Sequence, residues 1–166
     1  MFKQVDPKTL DFNVFSTIGD RWMLITAGTK ERCNTMTASW GALGVLWGAP
    51  MALAYIRPQR YTKEFVDRSE YFTLSFFPEQ YRKQLALCGA KSGRELDKVA
   101  ACGFTVAEGA GGAPYFEQAE LVLVCRKRMV QPMEEALIPP EVREKWYKGD
   151  YHIMYWGEIV EALVQA

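Results

Sequence analysis

The stretch Cys33–Trp47, CNTMTASWGALGVLW, begins with a strict alternation of side-chain character. Because successive side chains of a β-strand point to opposite faces, this alternation predicts a strand with two unlike faces. One face carries Asn34, Met36, Ala38 and Trp40, and the other carries Thr35, Thr37, Ser39 and Gly41. The row of short hydroxyls leaves room for a flat ligand close to the backbone. The solvent-facing side of an ordinary antiparallel sheet would show the same hydroxyls, so the pattern alone leaves both interpretations open.

Short apolar and aromatic runs predict further strands along the chain. They cover Trp22–Ala27, Met51–Ile56, Tyr71–Phe77, Glu120–Val130 and His152–Val164. A glycine-containing turn at 28–30 joins the first of these runs to the hydroxyl-bearing strand, which predicts a hairpin. Gly44, Gly48 and Pro50 predict a break in regular structure before Met51.

Short helices are predicted between these strands. They cover Lys63–Arg68 with Thr62 as the N-cap, a segment that starts at Pro78, Glu95–Cys102, and a piece that ends at Trp146. Near the start of the chain, Phe12, Phe15 and Ile18 are spaced to line one face of a helical turn. Strands predominate and no regular β-α-β alternation appears. The pattern therefore favours a mainly β fold with short helices, built as an antiparallel barrel.

Composition narrows the classes of function. A length of 166 residues predicts one domain over 1–166, and 20 basic residues balance 20 acidic ones, which argues against a nucleic-acid binder. Four dispersed cysteines are typical of reduced thiols in a cytoplasmic protein, and the one histidine, His152, cannot form a His-rich metal site. No apolar run reaches the length of a membrane span, so we expect a soluble protein that does not insert into membranes.

Several common catalytic motifs are missing. The chain has neither a G-x-G-x-x-G nor a P-loop pattern, and no G-x-S-x-G motif accompanies its histidine. Three small donor sites remain, namely Thr35/Thr37/Ser39, Arg57/Arg60/Thr62 and Lys91/Ser92. Two arginines and a threonine at the start of a predicted helix form a candidate phosphate clamp, although an Arg-Pro-x-Arg loop can equally be a solvated turn.

Four stretches together resemble the flavin reductase-like family, over about residues 11–159. They are NTMTASWG at Asn34–Gly41, RPQRYT at Arg57–Thr62, CGAKSGRELDK at Cys88–Lys98, and H-x-x-Y-x-G-E-I at His152–Ile159. The resemblance implies an FMN-binding split β-barrel of the antiparallel, Greek-key type, similar to flavoredoxin. It further implies a homodimer with the flavin at the subunit interface.

The resemblance also implies roles for individual residues. The isoalloxazine ring and ribityl chain would be bordered by Asn34, Thr35, Met36, Thr37, Ser39 and Trp40. The phosphate end would be held by Arg57, Arg60, Tyr61 and Thr62, with Lys91 and Ser92 nearby, and His152 and Tyr155 would close the pocket. Trp40 can instead be plain core packing, and His152 and Tyr155 can be structural residues of the last strand.

Two functions of different classes follow from the resemblance. The first is an enzyme that transfers hydride from NADH or NADPH to FMN. The second is an FMN-binding electron-transfer protein, flavoredoxin-like, which a partner protein reduces and which passes electrons to an acceptor protein. The sequence contains no separate nicotinamide motif that would distinguish them.

Overall fold

One curved antiparallel sheet organises the fold in the computed structural model, which describes all residues, 1–166. Its strands follow the order β3-β2-β6-β9-β10-β5-β4, and β1 pairs with the end of β10. A separate hairpin joins β7 and β8. The strands are β1 (Phe2–Val5), β2 (Met23–Gly28), β3 (Cys33–Ala38), β4 (Gly41–Leu46), β5 (Ala49–Ile56), β6 (Tyr71–Phe76), β7 (Val106–Glu108), β8 (Pro114–Phe116), β9 (Leu121–Pro132) and β10 (Ile153–Gln165). The predicted mainly β, antiparallel fold is confirmed.

The two edges of this sheet are tied together by the chain itself. Strands β3 and β4 stand at opposite ends of the strand order, yet only Ser39 and Trp40 separate them in sequence. Three Cα–Cα steps span at most about 11 Å, so the sheet must curl until its edges approach each other. This curl places Ser39 and Trp40 where the two edges approach each other.

Five short helices pack on the outside of the sheet. They are α1 (Val14–Gly19), α2 (Tyr61–Arg68), α3 (Arg82–Ala90), α4 (Lys98–Cys102) and α5 (Pro140–Trp146). Helices α2 and α3 lie against the β2–β3 hairpin, and α4 contacts both α3 and β3. The elements that carry the predicted donor residues therefore surround β3. No helix is both long enough and apolar enough to span a membrane.

The core has two parts, one on each side of the sheet. Inside the curl lie Met23, Ile25, Met36, Phe72 and Tyr155, among others. A second cluster lies under α3, α4 and the small hairpin, and it contains Leu24, Leu85, Phe104, Phe116 and Val122. Because both faces of the central strands are covered, β9 begins with the continuous apolar run at 121–125 rather than an alternating pattern.

Several predicted element boundaries are wrong. The chain from 41 to 46 is a regular strand, β4, and β5 already starts at Ala49, since Pro50 pairs only with the edge strand. Helix α4 starts at Lys98, where the Asp97 side chain accepts from the Ala100 amide. Helix α2 has Arg60 as its N-cap with no side-chain cap, so Thr62 does not cap it. Phe15 does not face the core but is 89% exposed.

Candidate functional site

Strand β3 lies along two neighbouring cavities. Cys33, Asn34 and Thr35 line a cavity of about 450 Å³, which we call the cationic cavity. Its charged lining residues are four cations and three carboxylates, namely Lys30, Arg32, Arg94 and Lys98 against Glu31, Glu95 and Asp97. The next residues of the strand, Met36 to Ala38, line a cleft of about 320 Å³. Trp40, Trp146 and His152 also line this cleft, which we call the aromatic cleft. Both volumes fall in the range of small-molecule sites, about 300 to 1,000 Å³.

Aromatic rings form the walls of the aromatic cleft, and the histidine among them is uncharged at pH 7. The Trp40 ring lies 5.1 Å from that of Trp146 in an edge-to-face contact and 5.2 Å from that of His152. His152 is buried, and its Nδ1 lies 2.8 Å from the Tyr147 hydroxyl. Burial, reinforced by the charge of Arg57, lowers the pKa of His152 to about 4, so the imidazole is neutral at pH 7.

Arg57 stabilises one wall of the aromatic cleft by contacting the end of α5 and the segment that follows it. Its guanidinium donates to Asp150 Oδ2 at 2.7 Å and to the carbonyl oxygen of Trp146 at 3.0 Å. The same group lies over the Tyr147 ring, 4.9 Å from its centroid. These contacts use both ends of the guanidinium fork and tie the segment after α5 to the end of β5. Arg57 therefore positions Trp146 and His152 rather than presenting a free cation.

Arg60 and Lys98 form a pair of buried or half-buried cations, which we call the cation pair. Lys98 Nζ donates to the carbonyl oxygen of Cys88 at 3.0 Å, and Arg60 donates to the same oxygen at 3.5 Å and to that of Gly89 at 2.9 Å. Lys98 lines the cationic cavity and Arg60 lines the aromatic cleft, so the pair stands at their junction.

The cation pair has no carboxylate partner. Neither residue takes part in any ion pair of the structure. Burial, with a smaller contribution from Arg60, lowers the pKa of Lys98 to about 8, and burial also lowers the pKa of Arg60. Because buried charges are normally paired, two desolvated cations around one carbonyl indicate a place prepared for an anion.

The floor of the cationic cavity is formed where α2 and the loop at Gly93 pack closely against Asn34 of β3. The Asn34 side-chain amide donates to Thr62 Oγ1 at 2.8 Å, and both residues are buried. A Cβ atom on Gly93 would lie 1.9 Å from Asn34 Oδ1, so only glycine allows this loop to approach β3 so closely. Tyr61 forms another wall, where the Arg94 guanidinium lies 4.6 Å from its ring centroid.

The predicted row of hydroxyls does not act as one surface. Thr35 has no exposed area, and its hydroxyl lies 2.8 Å from that of Thr26 on the neighbouring strand. The Thr37 hydroxyl donates to the Leu85 carbonyl oxygen, which anchors α3 to β3. Ser39 is half-buried at the rim of the aromatic cleft. Only Thr37 and Ser39 of this row line the cleft.

Four residues predicted for the site line neither cavity, and one of them is Thr62, which is buried beneath Asn34. Lys91 is exposed and follows the last turn of α3. The Ser92 hydroxyl accepts a bond from the Arg94 amide at 3.2 Å, which closes a local turn. Tyr155 is fully buried in the core, and its hydroxyl donates to Asp67 Oδ1 at 2.6 Å. The structure therefore separates these side chains from the two cavities.

Lys98 and Trp146 are two of the lining residues that were not predicted from the sequence. Lys98 lies within the stretch CGAKSGRELDK, but nothing in its neighbours marks it as buried. Trp146 ends a short helix far along the chain from β3, and no local pattern relates it to Trp40. A third cavity, of about 550 Å³, lies between β1 and the end of β10, and none of the predicted site residues lines it.

Comparisons with known proteins identify the family and the fold. The family model for the flavin reductase like domain matches residues 15–166. The fold is similar to that of flavoredoxin from Methanosarcina acetivorans, with 25% sequence identity, coverage of 87% of this chain and 68% of that chain, and a TM-score of 0.69.

Two further solved structures share the fold at lower identity. An FMN-binding protein from Thermus thermophilus is 23% identical, with coverage of 85% and 69% of the two chains and a TM-score of 0.67. An NADH:FAD oxidoreductase from Streptomyces globisporus C-1027 is 17% identical, with coverage of 87% and 75% and a TM-score of 0.64. A search of curated proteins gave no match. Because the family model covers nearly the whole chain, the protein belongs to the flavin reductase-like domain family.

Proposed function

We propose that the chain binds FMN along β3 and acts as an NAD(P)H-dependent flavin reductase. The observation that carries this proposal is that the ring-lined aromatic cleft and the cationic cavity are neighbours along β3, with the cation pair, which has no carboxylate partner, between them. FMN has the matching asymmetry, since a flat apolar ring system ends in a phosphate. Family membership supports the same ligand class.

The residues present fit the cofactor at both ends. For the ring, we propose the strand residues and aromatic walls of the cleft, namely Met36, Thr37, Ser39, Trp40 and His152. For the phosphate, we propose the cation pair and its neighbours Asn34 and Tyr61, with Thr62 as a positioning residue that accepts from the Asn34 amide. Arg57 is then a positioning residue. Lys91, Ser92 and Tyr155 are not part of this proposal because they line neither cavity.

The chain's own contribution is binding and orientation. When bound, FMN supplies the hydride-accepting chemistry itself. Trp40 and His152 would hold the ring system flat and exclude water from one of its faces. The neutral His152 adds no charge that would compete with the cation pair for the phosphate. No acid or base side chain is required, which agrees with an aromatic cleft whose only titratable imidazole is uncharged at pH 7.

The test of this function starts with the visible absorption spectrum of the freshly purified protein. We expect a flavin spectrum, release of FMN on heating as identified by chromatography, and steady oxidation of NADH or NADPH when free FMN is added. A colourless protein that also fails to take up added FMN would overturn the proposal.

The similarity to flavoredoxin supports a second candidate, an electron-transfer protein that binds FMN without oxidising nicotinamide by itself. The two candidates differ in one measurement. A reductase oxidises NAD(P)H continuously in the presence of free flavin, whereas the electron-transfer protein keeps its bound FMN oxidised until a partner protein supplies electrons. Stopped-flow absorbance with NADH, NADPH and chemically reduced protein donors distinguishes them.

The pH dependence of FMN affinity should report the charge of Lys98. In the free protein this amine loses its proton as the pH rises through about 8, while the FMN phosphate stays dianionic. We therefore expect FMN affinity to fall about tenfold between pH 7.5 and 9.5. Fluorescence titration checks this, with riboflavin, which lacks the phosphate, as the control ligand whose affinity stays level. Equal pH profiles for the two ligands would contradict the role of Lys98.

We also propose that the chain forms a homodimer through the face that carries α1 and β4. Helix α1 packs on β4. Phe15 in α1, Val45 in β4 and Trp47 in the turn after β4 are 89%, 76% and 66% exposed. An apolar cavity of about 590 Å³ beside Trp40 continues this face to the aromatic cleft. We expect Trp47→Ser to shift the protein toward monomer in sedimentation velocity, whereas Leu137→Ser, another exposed apolar position, should not. A monomeric unmodified protein would contradict the proposal.

A further inference from the structure

Two cysteine thiols lie in contact with each other next to the cation pair. Cys88 in α3 and Cys102, the last residue of α4, hold their sulfur atoms 3.6 Å apart. All four cysteines are free thiols, and the other two lie on β3 and β9. The two helices are separated by the loop 91–97, so this contact is a product of the tertiary fold and not of local spacing.

The geometry around the two sulfur atoms allows them to approach further. A disulfide needs a sulfur separation of about 2.05 Å, so closure requires a movement of about 1.5 Å. Helix α4 is suited to such a movement because it has only five residues and ends at Cys102. Gly103 follows in the left-handed conformation, with φ at 66°. Cys102 is partly exposed, which gives a small oxidant access to the pair.

Cys88 also connects the thiols to the candidate anion site. Its carbonyl oxygen accepts from Lys98 at 3.0 Å and from Arg60 at 3.5 Å, and the adjacent Gly89 carbonyl accepts from Arg60 at 2.9 Å. The 3.5 Å contact is already long for a hydrogen bond, so a small rotation of Cys88 is enough to break it. A movement of the Cys88 backbone is therefore transmitted to both cations.

We propose that Cys88 and Cys102 form a reversible redox pair whose disulfide displaces the cation pair and so weakens anion binding in the cationic cavity. The formation of the disulfide stands on the thiol geometry alone. The effect on anion binding rests on the proposed function, because it takes the FMN phosphate as the anion.

A peroxide is the oxidant that this step requires. With hydrogen peroxide, the Cys102 sulfur takes one oxygen to give a sulfenic acid, and one water leaves. The Cys88 sulfur then attacks the Cys102 sulfur, the S–S bond forms, and the second water leaves. The two thiols lose two electrons in total, the peroxide gains them, and a dithiol reductant reverses the change.

The environment of the thiols predicts a slow reaction at neutral pH. Burial is the main cause that raises the pKa of Cys88 to about 12, against the smaller opposing influence of Lys98 and Arg60. Burial also raises the pKa of Cys102. Since the thiolate is the reactive form, the pair should respond to sustained peroxide exposure and not to brief pulses.

The test treats the full-length protein with hydrogen peroxide and follows two readouts. Intact mass and peptide mapping should show the loss of two hydrogen atoms and a link between Cys88 and Cys102. FMN titration should show affinity lowered about tenfold, the scale of one lost charged hydrogen bond, and restored by dithiothreitol. Cys102→Ser should abolish both changes, whereas Cys125→Ser, the matched control on β9 at a cysteine that lines neither cavity, should retain both.

Each other outcome contradicts a defined part of the proposal. Oxygen addition to single cysteines, or a link that involves Cys33, overturns the redox pair. A Cys88–Cys102 disulfide with unchanged FMN affinity overturns the coupling to the cation pair. If neither form binds FMN, the proposed function and the coupling fall together, while the mass measurement still decides whether the pair forms.

Discussion

Replacing Lys98 by methionine is expected to weaken FMN binding by about 30- to 150-fold, equivalent to about 2 to 3 kcal/mol. Lys98 is 4% exposed and its ammonium group has only the Cys88 carbonyl oxygen as a partner. The phosphate would therefore be its only counter-charge, and a hydrogen bond between two charged groups in a poorly solvated place is strong. Methionine keeps the length of the side chain and removes the charge.

The same substitution should not harm the fold. In the free protein the desolvated ammonium beside Arg60 is unfavourable, as the lowered pKa of Lys98 shows. Removing that charge is therefore expected to leave the thermal unfolding temperature of the flavin-free protein unchanged or higher. Loss of both FMN binding and stability would instead mean that Lys98 is a structural residue.

Lys91→Met provides the matched control for this experiment. Lys91 lies seven residues earlier, is exposed, and lines neither cavity. We expect its replacement to change FMN affinity less than about twofold, as is usual for exposed charges. Isothermal titration of both variants with FMN and with riboflavin separates a phosphate contact from a ring contact. Equal losses in the two variants would contradict the assignment of the phosphate to Lys98.

The contrast between these two lysines shows where sequence reasoning reaches its limit. The resemblance drew attention to the stretch Cys88–Lys98 and implied Lys91, in the glycine-bearing loop, as the cation, whereas we propose Lys98. Burial of a lysine depends on what packs over it, here Cys88 and the loop at Gly93. That packing joins elements that are distant in sequence, so no local pattern reveals it.

The strands were predictable for a physical reason. Strands β2, β6, β9 and β10 are buried on both faces or on one whole face, and such burial leaves apolar runs that are visible in the sequence. Strand β4 has exposed residues at Ala42 and Gly44, with glycine inside it, and its pairing with β5 comes from tertiary structure. Strand β1 has only four residues, and it is positioned in the sheet by its pairing with β10.

The faces of β3 could not be assigned from its alternation alone. Met36 and Ala38 do face the core, as the pattern predicts. However, Thr35 on the opposite face is covered because its hydroxyl lies against Thr26, and α3 covers Thr37 through the bond to Leu85. A sheet with layers on both sides removes the wet face that a polar row normally indicates.

Replacing Gly157 by alanine is expected to lower the free energy of unfolding by about 2 to 3 kcal/mol. Gly157 lies on β10 between β5 and β9, at a register shift of the β9 pairing. An added Cβ would lie 2.6 Å from Cys125 Cβ and 2.7 Å from Phe72 Cζ. Both neighbours are fully buried, so neither can move away without disturbing the core.

Gly44→Ala is the matched control, since it makes the same change at a glycine inside a strand of the same sheet. A Cβ on Gly44 would have no neighbouring atom within 4 Å. Because glycine costs strand stability through its backbone freedom, this variant should be as stable as the parent or more stable by about 0.5 kcal/mol. Urea unfolding at one protein concentration measures both variants, and equal destabilisation would mean that space around Gly157 is not limiting.

Gly157→Ala and Gly44→Ala are expected to change the free energy of unfolding in opposite directions. This difference indicates what the motif at His152–Ile159 specifies. In H-x-x-Y-x-G-E-I, the tyrosine, glycine and isoleucine at 155, 157 and 159 point to one side of β10 and meet the core. Glycine there lets the Phe72 ring occupy the space that a side chain of β10 would fill. The motif therefore specifies packing at its centre, and only His152, at its start, reaches the aromatic cleft. Mutations at 157 should change stability with little change in FMN affinity per folded molecule. Lys98→Met should instead lower FMN affinity without lowering stability.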